Sequence, residues 1–139
     1  MKKIKYLTLL FILFLCIIGY IFLNNPFFNI SNVIVKGNDL LTRDDIISYS
    51  NVKIGTNIFK TNSKDIYKNL MRNPRIKEAD MKRVLPSTLL ITVAEREDFA
   101  ALYYLGAFIK IDKKGTVLAV KKELGNVTVP IITGLEIEK

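Results

Sequence analysis

The sequence contains no histidine and a single cysteine, and no acidic residue occurs before Asp39. Without histidine there is no histidine-based catalytic triad, no histidine-ligated metal and none of the commonest proton carrier near neutral pH. The one cysteine, Cys16, lies inside an apolar run. The rest of the chain therefore carries no disulfide and must be held by an apolar core rather than by covalent staples. The 139 residues exclude a large enzyme. Setting an anchor aside leaves roughly 115, enough for one ordinary domain, or for one small domain and part of a second.

What the sequence does have is an uncharged apolar run, Leu7 to Leu23, behind Met1-Lys2-Lys3-Ile4-Lys5. As a helix rising ~1.5 Å per residue it covers about 26 Å of a ~30 Å hydrocarbon core, and Tyr6 and Asn24 complete the span. Three lysines stand on its N-terminal side, whereas the first charge beyond it is Lys36. The positive-inside bias thus makes residues 1–5 a cytoplasmic stub and 6–24 a single transmembrane helix, with everything later extracytoplasmic. A cleaved signal would need a small-x-small site, and Asn24-Asn25-Pro26-Phe27-Phe28 offers none. A lipoprotein signal would need a small residue before Cys16, where Leu15 stands, so the thiol is read as lipid-facing or packing. Phe27 and Phe28 are read as aromatic anchors at the membrane interface, the alternative being first contacts of the following strand's core.

The formal charge is +8, from 21 basic and 13 acidic residues. Three of the basic ones lie in the first five positions, which leaves 18 against 13, or +5, for the exported part. That excess, on Lys53, Lys60, Lys64, Lys68, Arg72 and others, reads as solvated faces with an attraction to anionic lipid or cell-wall polymer. The topology puts it on the wrong side of the membrane for nucleic acid, and no such partner is expected.

Beyond the Asn-Pro-Phe-Phe linker, Ile30 to Lys36 reads as a strand that ends at the Gly37-Asn38 turn. Thr42 is a helix N-cap followed by acids in the first turn, with Ile46, Ile47 and Tyr49 as the apolar stripe. Asn62 or Ser63 caps a second helix striped by Ile66, Tyr67 and Leu70, which stops near Asn73-Pro74. Arg75 to Val84 and Thr88 to Arg96 form a hairpin around Leu85-Pro86-Ser87, with Leu89, Ile91 and Val93 on one apolar face. Strand, helix, helix, strand, strand is an α+β arrangement with both helices on one face of a small sheet. Three further strands are expected at Phe99 to Tyr104, Phe108 to Asp112 and Thr116 to Val120, with a Gly115 turn between the last two. Lys121 to Val127 reads as loop, and Pro130 opens a final extended segment. So few strands bury little alone, and they pack on the first domain or pair with something else.

These words stand in a recognisable order: Phe28-Asn29-Ile30, Val33-Ile34-Val35-Lys36-Gly37-Asn38, Leu41-Thr42, Asp45-Ile46 and Gly55-Thr56-Asn57-Ile58-Phe59 come first. Asn73-Pro74-Arg75-Ile76-Lys77-Glu78-Ala79, Lys82-Arg83, Leu85-Pro86 and Leu89-Leu90-Ile91 to Glu95-Arg96 follow. Together they resemble the POTRA domain of the cell-division proteins FtsQ and DivIB, over residues 28–97. Residues 98–139, with Ala100-Ala101, Ile111 to Leu118 and Val129-Pro130-Ile131-Ile132-Thr133-Gly134-Leu135, look like the start of that family's β domain. Family members usually continue further, so the sequence is expected to be a fragment or a shortened form. The resemblance implies a non-catalytic divisome scaffold in the bacterial cell membrane at the division septum. It also implies FtsL-like and FtsB/DivIC-like coiled-coil partners and a regulatory link to the septal peptidoglycan synthesis machinery. An alternative is a sporulation or transport-assembly protein that uses the same module; a weak wall hydrolase is a third.

The carboxylates that cluster near a strand end are Glu95, Glu97 and Asp98. Glu95 and Glu97 fall on one side of a strand end, as a glycosidase pair would, but a solvated strand terminus with Arg96 between them is the preferred reading, because a domain this small offers no substrate cleft. Ser87 after Pro86 is a turn residue with no general base evident beside it. No catalytic residue, cofactor or metal ligand is expected. The triplets Asn29-Ile30-Ser31 and Asn126-Val127-Thr128 are glycosylation acceptors only in a eukaryotic secreted chain. For partners, an exposed edge of the hairpin or of the last strand can accept an added strand, and Val129, Pro130, Ile131 and Ile132 are the candidate edge. The helix surface with Arg43, Lys64 and Lys68 toward solvent is the second candidate, read by preference as simple solubility.

Overall fold

The computed structural model describes residues 2–123 and 129–133. Helix α1, Lys2–Leu23, is followed by a single 3-10 turn, Pro26–Phe28, and then by strand β1, Asn32–Lys36. Helices α2, Arg43–Ser50, and α3, Ser63–Leu70, precede β2, Ile76–Val84, and β3, Thr88–Glu95. A second sheet holds β4, Ala100–Tyr104, β5, Ala107–Ile111, β6, Val117–Lys121, and the two-residue β7, Ile131–Ile132.

Local chemistry explains where the helices begin. The Thr42 hydroxyl accepts from the Asp45 N–H at 3.1 Å while the Asp45 carboxylate accepts from the Thr42 N–H at 3.0 Å, a reciprocal cap that also holds the Asp45 carboxyl below its usual range. The Asn62 side chain accepts from the Lys64 N–H at 3.0 Å and starts α3. Of the two expected stripes, Ile46, Ile66 and Leu70 are buried and Ile47 half-buried, whereas Tyr49 and Tyr67 point outward. Phenol groups are tolerated in water, so the aliphatic residues alone define the inward faces. α3 stops at Leu70, and the chain reaches Asn73-Pro74 through tighter turns, with the Arg72 N–H on the Asn69 carbonyl at 3.2 Å and the Asn73 N–H on the Leu70 carbonyl at 3.0 Å, before the Asn73 side chain accepts from the Arg75 N–H at 3.0 Å.

In the first sheet the order is β1-β3-β2, with β3 central, parallel to β1 and antiparallel to β2. The register sets Val33 opposite Leu89 and Val35 opposite Ile91, and on the other side Ala79 opposite Val93 and Met81 opposite Ile91. All these residues share one face, which α2 and α3 cover; with Phe28, Ile30, Ile58 and Ile76 they form the core. Burying each large aliphatic there contributes about 1.5–3 kcal/mol. Gly37 ends β1 with φ +76, and a Cβ there would stand 2.1 Å from the Val93 carbonyl oxygen, so only glycine lets the chain pass.

β1 and β3 run away from α1 while β2 returns toward it, so the chain leaves the first sheet at Glu95, at the end opposite α1. The second sheet, in order β6-β5-β4-β7, begins there. The Gly115 turn forms as expected, at φ +78, closed by the Gly115 N–H on the Asp112 carbonyl at 3.0 Å. β4 and β5 meet at Leu105-Gly106, both with positive φ.

Candidate partner-binding surfaces

Residues Val129 to Ile132 end as β7, which lies parallel to β4 with Ala101 opposite Ile131 and Leu102 opposite Ile132. The Ala101 N–H donates to the Pro130 carbonyl at 2.9 Å. By strand alternation the peptide groups of residues 130 and 132 therefore face β4, and those of Ile131 face away. Among the described residues no strand pairs with that outer side, and both isoleucines are exposed. The part of the final segment beyond Thr133, the loop residues 124–128 and the Asn126-Val127-Thr128 triplet lie outside the described residues.

The first sheet has two edges: Arg43 covers a carbonyl on one, and charged side chains line the other. Asn32 turns its N–H toward Ser87 on the β3 side, so Val33 turns its carbonyl outward, where Arg43 donates to it from Nε at 3.2 Å and Nη2 at 2.8 Å. Arg43 is thus a clamp on the sheet edge rather than a freely solvated charge, while Lys64 and Lys68 do reach solvent. The Arg43 role was not legible in sequence, because the carbonyl it meets is ten residues earlier and on another element. At the other edge, β2 presents exposed Lys77, Glu78, Asp80, Lys82 and Arg83, charges that oppose pairing with a second strand.

The Glu95 carboxylate accepts from the backbone N–H groups of Asp39, Leu40 and Leu41 at 3.1, 3.0 and 3.0 Å. It holds the loop between β1 and α2 rather than facing Glu97 across a cleft, and its oxygens are engaged with backbone donors. Asp98 meets Lys110 Nζ at 2.7 Å and Arg75 Nη1 at 3.1 Å; Asp112 meets Arg96 Nη1 at 2.9 Å and accepts from the Lys114 and Thr116 N–H groups at 2.8 Å each. Burial pushes both carboxyls up, but these donors and cations outweigh it and leave both below the ordinary carboxylate value. Of the cluster read as a solvated terminus, Glu97 is exposed and Glu95 holds the loop, whereas Asp98, together with Asp112, joins the two sheets, since Arg75 and Arg96 adjoin the ends of β2 and β3 and Lys110 and Asp112 lie at the end of β5. Ser87, as expected, lies in the β2–β3 turn, where its hydroxyl pairs with that of Ser31 at 2.9 Å.

Phe27 and Phe28 separate. Phe28 is 7% exposed and packs its ring on Phe22, Phe27 and Phe59 with centroids 5.2 Å away in each case, so it belongs to the core. Phe27 remains 63% exposed, and the interface expectation now rests on it alone. The i, i+1 spacing hid this, because a 3-10 turn there sends successive rings in different directions.

Residues 28–96 match the family described as POTRA domain, FtsQ-type. The chain is 38% identical over 138 residues to the cell division protein DivIB of Clostridium botulinum strain Hall, covering 97% of this chain and 53% of that protein. It is 32% identical over 127 residues to the cell division protein DivIB of Clostridium acetobutylicum, covering 89% and 50% respectively. To the cell division protein FtsQ of Rickettsia bellii it is 36% identical over 88 residues, covering 63% and 33%. The chain spans about half the length of the DivIB relatives it matches.

Proposed function

We infer the function from kinship: this chain belongs to the FtsQ/DivIB family, and we propose that it acts as a membrane-anchored, non-catalytic scaffold of the bacterial division apparatus. α1 crosses the cell membrane with its lysines inside, and the POTRA domain carries the second sheet outward. Eight residues of β3 at ~3.3 Å each put about 26 Å of strand between the domain end beside α1 and that sheet. There it binds FtsL-like and FtsB/DivIC-like partners at the septum and tunes septal peptidoglycan synthesis.

The observation that carries the binding step is the outward-facing Ile131 peptide of β7, beside two POTRA edges of which one carries Arg43 and the other is lined by charges. A partner strand laid there gains backbone hydrogen bonds and apolar contact with Ile131 and Ile132. Ile131→Pro removes the outward donor yet leaves the Pro130 contact with β4, so it is expected to abolish co-purification of the coiled-coil partners while the fold persists. Retained co-purification overturns the edge-binding step. Depletion is expected to give filamentous cells, with the tagged chain at midcell; normal septation instead would favour a sporulation or transport assembly.

A further inference from the structure

The anchor and the POTRA domain are joined without slack. Asn57, 8% exposed, donates from Nδ2 to the Leu23 carbonyl at 2.8 Å and so caps the end of α1. Phe28 packs on Phe22 of α1 and Phe59 of the domain, and the Asn25 side chain accepts from the Phe27 N–H at 2.9 Å. A helix end held by a buried amide and a ring stack cannot pivot freely, so the domain's orientation to α1 is set.

That orientation brings a particular end of the domain to the level where α1 leaves the apolar layer. β2 descends to it, so Val84 and the Leu85–Ser87 turn lie there, with the Ser31 N–H on the Ser87 carbonyl at 2.9 Å. The Asn57–Lys60 segment lies there too, with the Ile58 N–H on the Phe28 carbonyl at 2.8 Å. Phe27, Phe59, Val84 and Leu85 are all exposed, Leu85 at 57%. Lys60, Lys82 and Arg83 adjoin them in the chain and are exposed; the Arg83 guanidinium is braced on the Ile58 and Thr61 carbonyls at 2.9 and 2.7 Å, and the Lys82 ammonium, 4.0 Å from Asp80 in a largely solvated pair, stays open to another anion. Large apolar side chains flanked by cations are what an interfacial surface presents to anionic lipid.

We propose that this end of the POTRA domain is a lipid-docking surface that rests on anionic headgroups around its own anchor. Phe27, Phe59 and Leu85 enter the boundary between headgroup and acyl chain, and Lys60, Lys82 and Arg83 meet lipid phosphates. The surface is continuous with α1 and opposite in charge to anionic headgroups, which favours lipid over a protein occupant. It rests on the reading that α1 spans the membrane, but not on a role in division. The domain then stands at a defined tilt instead of swinging on its tether.

The test uses the full chain carrying Cys16→Ser in nanodiscs, with single spin labels at Phe14, Leu85 or Lys36 read for collision with oxygen and with an aqueous nickel chelate. In phosphatidylglycerol discs the Leu85 label is expected to be several-fold less accessible to nickel than the Lys36 label. That protection should fall in phosphatidylcholine discs and in the Lys60→Glu, Lys82→Glu double variant. A Leu85 label as accessible as Lys36 while Phe14 stays immersed overturns the docking surface alone, and its exposed end is then free for a protein. A water-accessible Phe14 label overturns the anchor reading and docking with it. Protection indifferent to lipid charge overturns the role given to the lysines.

Discussion

The two sheets of this chain use similar numbers of strands and reach opposite outcomes. The POTRA sheet buries a continuous core under two helices and carries Arg43 on one edge and a run of charges on the other. In the second sheet only Ala100, Ala101 and Leu118 among the described strand residues are buried, β5 is half-buried along its whole length, and β7 keeps an outward edge. A sheet becomes a closed domain when something covers one face; otherwise its apolar groups remain available for a partner or for further chain. The first sheet is closed by its helices, and the second keeps an outward edge and half-buried strands.

The comparison breaks first at equivalent aliphatic truncations. Ile91→Ala in β3, at 0% exposure, is expected to lower stability by about 2–5 kcal/mol, and Ile109→Ala in half-buried β5 by about 1 kcal/mol, read by denaturant titration followed by circular dichroism. Equal losses would mean that the second sheet is as closed as the first. Gly37→Ala is next: its left-handed φ alone costs about 1–3 kcal/mol, and contact with Val93 adds to that. Glu95→Ala removes a charged acceptor from three N–H groups and is expected to cost about 1–3 kcal/mol, with faster hydrogen exchange confined to residues 39–41. Muropeptide release by the unaltered chain that Glu95→Gln abolished would revive the hydrolase reading.

Acid sharpens the contrast from another side. Asp98 and Asp112 have folded pKa values below the ordinary 3.8, so the unfolded or separated state binds more protons. Their contribution is complete above about pH 4 and is lost as pH falls through the lowered folded values. Exchange protection at the joint between the sheets should therefore fall below about pH 4 before the POTRA core opens, and Asp98→Asn should show that weakening already at neutral pH. The smallest effect is expected at the exposed Lys77–Glu78 pair, 4.0 Å apart, where Lys77→Gln should change stability by less than about 0.5 kcal/mol.

The apolar helix α1, both helix caps and the β2–β3 hairpin with its Leu89, Ile91, Val93 face were legible in sequence, because each depends on neighbours within a few positions. The part of the candidate surface that was legible is the Pro130-Ile131-Ile132 segment as a strand. Its parallel pairing with β4, some thirty residues earlier, has no local signature. That Phe28 takes the core alternative while Phe27 stays exposed is not legible locally, because its burial depends on Phe22 before it and Phe59 far after it.

The sequence by itself determined that an apolar helix leads an α+β module with one apolar sheet face, since charge, hydropathy and period act over a turn or a strand. Only the tertiary structure decided that Glu95 holds a loop 54 to 56 residues away, that Arg75, Asp98 and Lys110 fasten two sheets, and that Asn57 caps the end of α1. Charges and hydrogen-bond donors carry no mark of which distant partner they will meet. That choice is made when the apolar core packs and brings those groups within three ångströms or so.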